Sequence, residues 1–386
     1  MSYPLVSLGE VADFVNGVAF KPEDWGTEGK PIIRIQNLND PTKEYNYTNR
    51  DVRDTNIARN GDLLVSWSAS LGVYEWNGCD ACINQHIFKV IPNEKVDKTY
   101  LKRALEISIT DMESQVHGAT MKHITRGKFL ANKIPLPPLE EQRRIAAILD
   151  KADELRQKRQ QAIEKLDQLL QATFIDMFGD PVSNSKGFDL VNLESILAKK
   201  LISGAYFPKE TYTDVGGTPM VHMGDVFYGV VKPNNLKQVK INNEEIEKYR
   251  ITNNDLLIAR RSLTYEGAAK ACRIECFDKN MIFESSLIRL SPNLLKILPE
   301  FLYHYLNNSD VRNNFIIPYI TKSTISGINQ ANLNKVKVLL PPLAKQEKFI
   351  EICDKFKQLG KKLTDDLNKL DELFKSLQNQ AFSGNL

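Results

Sequence analysis

The sequence predicts an α+β fold: two similar globular domains separated by two long antiparallel helices that form a coiled coil, related by a pseudo-twofold internal repeat. Three observations carry this. A Pro-Pro-Leu segment occurs at residues 137–139 and again at 341–343, each opening a long stretch of helical periodicity. At that same ungapped offset, Leu166-Asp167-Gln168-Leu169 falls on Leu370-Asp371-Glu372-Leu373, and Phe178 on Phe382. The segments in front of each copy also match, at offsets that drift as loop insertions require.

Taken in order, residues 1–136 form the first globule, 137–180 a central helix, 181–340 the second globule and 341–386 a distal helix. Leu5-Val6-Ser7-Leu8 echoes Leu190-Val191-Asn192-Leu193, Lys30-Pro31-Ile32-Ile33 echoes Thr218-Pro219-Met220-Val221, and Asn60-Gly61-Asp62-Leu63-Leu64 echoes Asn254-Asp255-Leu256-Leu257. In both globules, β-branched and aromatic runs between Gly, Asn, Asp and Pro clusters read as short strands, at residues 31–35, 62–67, 87–91, 255–259 and 283–290. One amphipathic helix follows each set, at residues 98–113 and 299–315.

The central helix opens with Glu140 and Glu141 in its first turn, where the helix dipole favours negative charge. Its apolar residues recur in steps of three and four: Ile145, Ile148, Ala152, Leu155, then Ala162, Leu166 and Leu169, with Arg159 interrupting. The distal copy runs Phe349, Ile352, Phe356, Leu359, Leu363, Leu370, Leu373 and Leu377, with Asp366 as its polar break. Neither Gly nor Pro enters residues 143–178, so at ~1.5 Å per residue this helix can run roughly 55 Å. Two narrow seams in one chain are best buried by antiparallel pairing. From periodicity alone, a packing or dimerisation element explains the helices as well as a spacer does.

Composition excludes some classes and identifies none. At 386 residues with 42% hydrophobic content, the chain can build two cores. No apolar run approaches the roughly 20 residues of a membrane span, and the start lacks the order of a signal peptide, so a cytoplasmic location is expected. Five cysteines, an odd number, read as thiols in a reducing compartment. A net charge of +3 means that any nucleic-acid surface depends on local clustering of Lys and Arg.

Two diverged globules at a fixed separation suit a ligand with two sites at fixed spacing, and double-helical DNA is the commonest such ligand. Loops carrying amide, guanidinium, imidazole and hydroxyl groups match base edges and phosphates. In the first globule these are Arg34, Gln36 and Asn37, then Trp67 and Ser68, then Asn84, Gln85 and His86. The second globule offers His222 and Asp225, then Arg260 and Arg261, then Glu284, Ser285 and Ser286. Ahead of each long helix, Lys122, His123 and Arg126, and likewise Lys322 and Ser323, read as phosphate-gripping loops. For any one of these, a turn residue or solvated polar group is the competing reading. The adjacent pair Arg260-Arg261 is the sharpest, since one guanidinium can face a guanine edge and the other a phosphate.

Chemistry-bearing motifs are missing. The sequence has no phosphate loop, no Gly-x-Gly-x-x-Gly after a strand, no His-Glu-x-x-His and no Asn/Asp-Pro-Pro-Tyr/Phe. Cys79-x-x-Cys82 is half of a zinc site, as is the Cys272 and Cys276 pair, and buried strand cysteines explain both better than a metal does.

The order globule, Pro-Pro-Leu-x-x-Gln helix, globule, Pro-Pro-Leu-x-x-Gln helix resembles the DNA-specificity subunits of type I restriction-modification systems. Pro137-Pro138-Leu139-Glu140-Glu141-Gln142-Arg143-Arg144-Ile145 carries the family's usual form, and Ala344-Lys345-Gln346-Glu347-Lys348-Phe349 departs from it around the shared glutamine. The resemblance implies a non-catalytic reader of double-stranded DNA. Each globule would be a target recognition domain for half of a bipartite site, and the helix pair would fix the gap. Two methyltransferase subunits would methylate adenine N6 with S-adenosylmethionine, and restriction/translocase subunits using Mg and ATP would join for cleavage. The rival readings are a coiled-coil adaptor binding protein partners through its duplicated globules, and an enzyme of unrecognised type.

Overall fold

Short strands bounded by turns do form, and in both globules they build two sheets of four or five strands beside smaller two-stranded pairs. The computed structural model describes residues 3–115, 125–226, 229–232, 235–275 and 280–386. The chain divides into unit 1, Met1–Gln161 with Thr364–Leu386, and unit 2, Ala162–Leu363. The division cuts both long helices, Leu139–Phe178 and Leu343–Ser383, so each unit holds one globule and a stretch of each helix.

In unit 1, an antiparallel sheet runs in the order Ala12–Asn16, Ile87–Pro92, Leu63–Ser66, Gly72–Glu75. A second sheet orders Asn46–Thr48, Lys30–Ile33, Ala81–Ile83, Ile57–Ala58, with its middle pair parallel. Unit 2 repeats the plan. Ile202–Ser203, Leu287–Leu290, Leu256–Ala259, Ala271–Ile274 and Val230–Val231 form one sheet; Tyr212–Thr213, Lys237–Val239, Thr218–Val221 and Ile282–Phe283 form the other. In each unit a strand near the start of the globule pairs with the strand that leads into a long helix: Leu5–Ser7 with Lys133–Pro135, and Asp189–Asn192 with Lys337–Leu340.

Three expected elements differ. The strand at 31–35 ends at Ile33 because Arg34 begins a short helix, Ile35–Asn39, whose Asn37 Oδ1 accepts the Arg34 N–H at 3.2 Å. The run at 283–290 is two strands in different sheets, joined by Glu284, Ser285 and Ser286. A continuous β-branched run cannot reveal that its two ends pair with different partners. The helix at 299–315 stops at Asn307, since the Asn308 side chain accepts the Asp310 and Val311 N–H groups and starts a new turn. The first-globule helix spans Lys98–Gln115, close to expectation.

The long helices are antiparallel in both units. In unit 1, partners climb one helix as they descend the other: Arg144 donates to the Leu386 carbonyl, Arg156 to Asp371 at 2.6 Å, and Arg159 lies 3.7 Å from Asp366. In unit 2 the Phe174 and Phe349 rings sit 5.5 Å apart.

The buried seam keeps Ile145, Ala152 and Leu166 on the central helix and Phe349, Phe356, Leu363, Leu370 and Leu377 on the distal one, as expected, and shifts by one residue at four leucines. It follows Gln142, Ile145, Leu149, Ala152, Arg156 and Arg159 in unit 1, then Ile163, Leu166, Leu170, Phe174 and Phe178 in unit 2. On the distal helix it follows Gln346, Phe349, Cys353, Phe356, Gly360 and Leu363, then Leu367, Leu370, Phe374, Leu377 and Ala381. Leu155, Leu169, Leu359 and Leu373, all expected in the seam, are 45–52% exposed. Each stands one residue away from a seam position, on the helix flank.

The glutamine of each helix start fastens helix to globule. Gln142 is fully buried; its oxygen accepts the Asp97 N–H at 2.8 Å, and its amide donates to the Lys95 and Pro137 carbonyls. Gln346 does the same with Leu298 N–H and the Lys296 and Pro341 carbonyls. The shared motif is a joint.

Candidate nucleic-acid interface

In each unit the segment that crosses from one sheet to the other collects the expected polar loops. Unit 1 crosses at Asn84-Gln85-His86, between the strands Ala81–Ile83 and Ile87–Pro92. The Asn84 N–H donates to the Ile33 carbonyl, which brings up the Arg34 turn; the Trp67 N–H donates to the His86 carbonyl, which brings up the Trp67-Ser68 loop. Unit 2 crosses at Glu284-Ser285-Ser286 and repeats both bonds, from Glu284 to the Val221 carbonyl and from Arg260 to the Ser286 carbonyl. Trp67 and Arg260 therefore occupy equivalent positions, as do Arg34 and His222.

Backbone agreement sets off chemical difference. On the unit 1 ledge, Trp67 stacks on Phe88 at 5.6 Å and meets the His86 ring edge-on at 5.4 Å, with Gln85 Nε2 3.2 Å from His86 Nε2. Gln85 is exposed, Ser68 half-buried. On the unit 2 ledge, Arg260 Nη1 donates to the Ser285 carbonyl at 3.3 Å, and Arg261 is exposed on a strand, Arg261–Ser262, paired with Ser326–Gly327. That pairing draws in Lys322 and Ser323: Lys322 lies 4.5 Å over the Tyr265 ring, and Ser323 Oγ donates to the Ile325 carbonyl. Arginine and serine stand where the first copy has an aromatic pair and an amide.

Other candidates have structural duties. Asn37 is buried and its amide donates to the Lys43 and Glu44 carbonyls. Arg34 lies 5.7 Å over the Trp25 ring, half-buried, while neighbouring Gln36 is exposed. His222 has both ring nitrogens engaged, Nδ1 with the Met220 carbonyl and Nε2 with the Tyr212 hydroxyl, each at 3.0 Å. Asp225 Oδ2 accepts the His222 N–H at 2.8 Å, as Asn37 does for Arg34. Arg126 is exposed and donates to the Phe14 carbonyl. Lys122 and His123 lie outside the described residues, as does Cys276. Cys79 is exposed and Cys82 sits buried in a strand, where desolvation raises its thiol pKa.

Two features of the ledges escaped the sequence reading. Gly17 and Gly204 each run against the crossover, and a Cβ would fall 2.1 Å from the Asn84 carbonyl oxygen in one and 2.2 Å from the Phe283 oxygen in the other. Only glycine permits that approach. The signal was present as Gly17-Val18-Ala19-Phe20 against Gly204-Ala205-Tyr206-Phe207. Tyr206, 82% exposed, stands on this segment beside the unit 2 ledge, where Ser285 N–H bonds the Ala205 carbonyl.

Comparison with known proteins agrees with this duplicated plan. The family model for the type I restriction modification DNA specificity domain matches twice, over residues 3–165 and 185–371. The type I restriction enzyme EcoBI specificity subunit of Escherichia coli is 23% identical over 100% of this chain and 86% of its own length. The MjaVIII specificity subunit of Methanocaldococcus jannaschii is 23% identical over 100% of this chain and 93% of its own. Among solved structures, a chain from a type I restriction-modification assembly superposes with a TM-score of 0.62 at 19% identity, covering 100% of this chain and 98% of that one. The S subunit from M. genitalium superposes with a TM-score of 0.55 at 16% identity, covering 99% and 96%. With both halves of the repeat matched, the chain belongs to the type I restriction-modification DNA specificity family.

Proposed function

We propose that this chain is the reader of a type I restriction-modification complex, binding double-stranded DNA at a two-part sequence and directing adenine-N6 methyltransferase and restriction subunits to it. The observation that supports this best is the pair of crossover ledges, alike in backbone and unlike in side chains. A duplicated scaffold presenting Trp67, Gln85 and His86 in one copy and Arg260, Arg261 and Ser285 in the other suits two half-sites of different sequence. The chain's part is geometry and base readout. S-adenosylmethionine would be held by the methyltransferase partners, Mg and ATP by the restriction partner.

Two methyltransferase subunits are the proposed partners, and the flank leucines support that number. Unit 1 exposes Leu155 and Leu373; unit 2 exposes Leu169 and Leu359, the equivalent residues with the helices exchanged. An exposed apolar stripe beside a coiled-coil seam suits a further packed helix. Leu155→Asp and Leu169→Asp, each on a surface position, are expected to leave folding intact and weaken methyltransferase binding, measured by titrating that subunit against the variants.

Modified-base sequencing of host DNA, with this gene intact and deleted, tests the whole reading. Loss of a two-part adenine-methylated motif on deletion is the expected result. An unchanged methylome in an expressing strain would leave the protein-binding adaptor as the better account.

A further inference from the structure

The duplication places one side-chain cluster in unit 1 whose counterpart in unit 2 is a cavity. In unit 1, Arg156 bridges the two long helices: Nε donates to Asp371 at 2.6 Å, Nη1 to Asp153 at 2.9 Å, and the guanidinium lies 4.5 Å from the Phe374 ring centroid. Arg103, from the globule helix, meets the same ring at 5.8 Å and bonds Asp150, Asp153 and Glu106. Burial works against the Arg103 charge; the carboxylates outweigh it and hold its pKa above the ordinary value. Two guanidinium groups fill this junction of globule and coiled coil.

The helix offset that aligns the repeats replaces Arg156 with Gly360, Asp371 with Asp167, Phe374 with Leu170 and Asp153 with Lys357. On the globule helix, equivalence follows the glutamine joint, Asp97 matching Leu298, so Arg103 is replaced by His304. Both arginines are gone, while two of the four carboxylates stay: Asp371 is matched by Asp167, and Asp150 by Asp354, which faces Arg273. What remains is a cavity of about 310 Å³ lined by Asp167, Leu170, Gln171, Phe174, His304 and Asn308. The Asp167 side chain is exposed, and its carboxylate makes no hydrogen bond or ion pair among the described residues. The His304 ring is turned to Glu300, 3.5 Å away, which also pairs with Arg273.

We propose that this cavity receives an arginine side chain of the methyltransferase subunit, which supplies in trans the guanidinium that unit 1 supplies from its own chain. This rests on the function proposed above. The chemistry is that of the filled copy. A carboxylate on one long helix takes the guanidinium fork, and apolar side chains at Leu170 and Phe174 take its stem. Arginine suits a carboxylate flanked by apolar side chains better than lysine, because its charge is delocalised and its donors match a carboxylate in pairs.

The test measures affinity of the purified methyltransferase subunit for the full-length chain in the absence of DNA. Asp167→Asn is expected to weaken binding roughly tenfold or more, the scale of a lost charge-assisted hydrogen bond. Gly360→Arg, which restores the arginine found at the equivalent position of unit 1, is expected to weaken it similarly by occupying the cavity from within. Gly360→Ala, whose Cβ would stand 3.3 Å from Leu166 Cδ2, leaves the cavity open and keeps affinity within about twofold. Wild-type affinity in both Asp167→Asn and a folded Gly360→Arg overturns the proposal; should Gly360→Arg not fold, unchanged binding by Asp167→Asn alone overturns it. A wild-type chain that binds no methyltransferase subunit overturns the underlying reading as well, whereas binding that both variants retain overturns the cavity alone.

Discussion

A single buried amide does at each helix start what a sequence motif can only hint at. Gln142 and Gln346 each satisfy one N–H and two carbonyls with no water exposure. Gln142→Ala strands the buried Pro137 carbonyl and leaves the half-buried Asp97 N–H and Lys95 carbonyl to water; a buried orphan costs about 1–3 kcal/mol, and unit 1 should lose about that much. Urea unfolding should show a lower midpoint at unchanged slope. Cys272 sets a pH limit of the same local kind. Burial pushes its thiol from 9.0 up to about 12, with Arg273 and a backbone bond acting weakly the other way. Because the unfolded chain ionises this thiol first, stability is complete below pH 9 and declines between there and 12, by about 1.4 kcal/mol per pH unit for one group. Cys272→Ala should flatten that alkaline slope in a pH series of unfolding curves; an unchanged slope assigns it to other groups. The joint's glutamines stood in plain sight in Pro-Pro-Leu-x-x-Gln, yet nothing in the spacing says that an amide turns inward, because two of its three partners lie 45 residues or more away.

At the scale of elements, the long helices show why existence was legible and orientation was not. Periodicity, the paired starts and the offset shared by both copies gave the helices their length and direction. The expected seam holds at most of its positions and slips at Leu155, next to Arg156, where the middle of the seam is not apolar. Arg156 and Arg159 lie in it with their stems packed and their charges paired, while Leu155 and Leu169 beside them face out. A pattern that counts leucines takes the flank for the core. The two can be told apart by truncation. Leu149→Ala, at a fully buried position, should cost about 2–5 kcal/mol of unit 1 stability, whereas Leu155→Ala should stay within about 0.5 kcal/mol. Equal losses at both would restore the seam read from the sequence. Strands followed the same rule: those at 62–67, 87–91 and 255–259 were recognised to within two residues, and the run at 283–290 was misread because its split lies in the pairing of its ends.

Over the whole molecule, duplication makes the two ledges separable in function as well as in sequence. Each draws its residues from a single unit. Under the proposed function, Gln85→Ala should relax one half of the methylated motif and Arg260→Ala the other. If Arg260 faces a base edge, its loss should cost about 1–3 kcal/mol of discrimination at one position of its half-site; if it faces phosphate, affinity should fall evenly over all sequences and the salt dependence should flatten. Arg261, exposed where Arg260 is tied to the Ser285 carbonyl, should show the complementary behaviour. Sites with no shared partners couple weakly, so the double variant Gln85→Ala/Arg260→Ala should show the sum of the two losses to within about 0.5 kcal/mol. Fluorescence titration of the assembled methyltransferase complex against duplexes altered in one half-site at a time gives all four corners of that cycle. A larger coupling would mean that the two halves of the sequence are read cooperatively, and the division of readout between the copies would have to be given up.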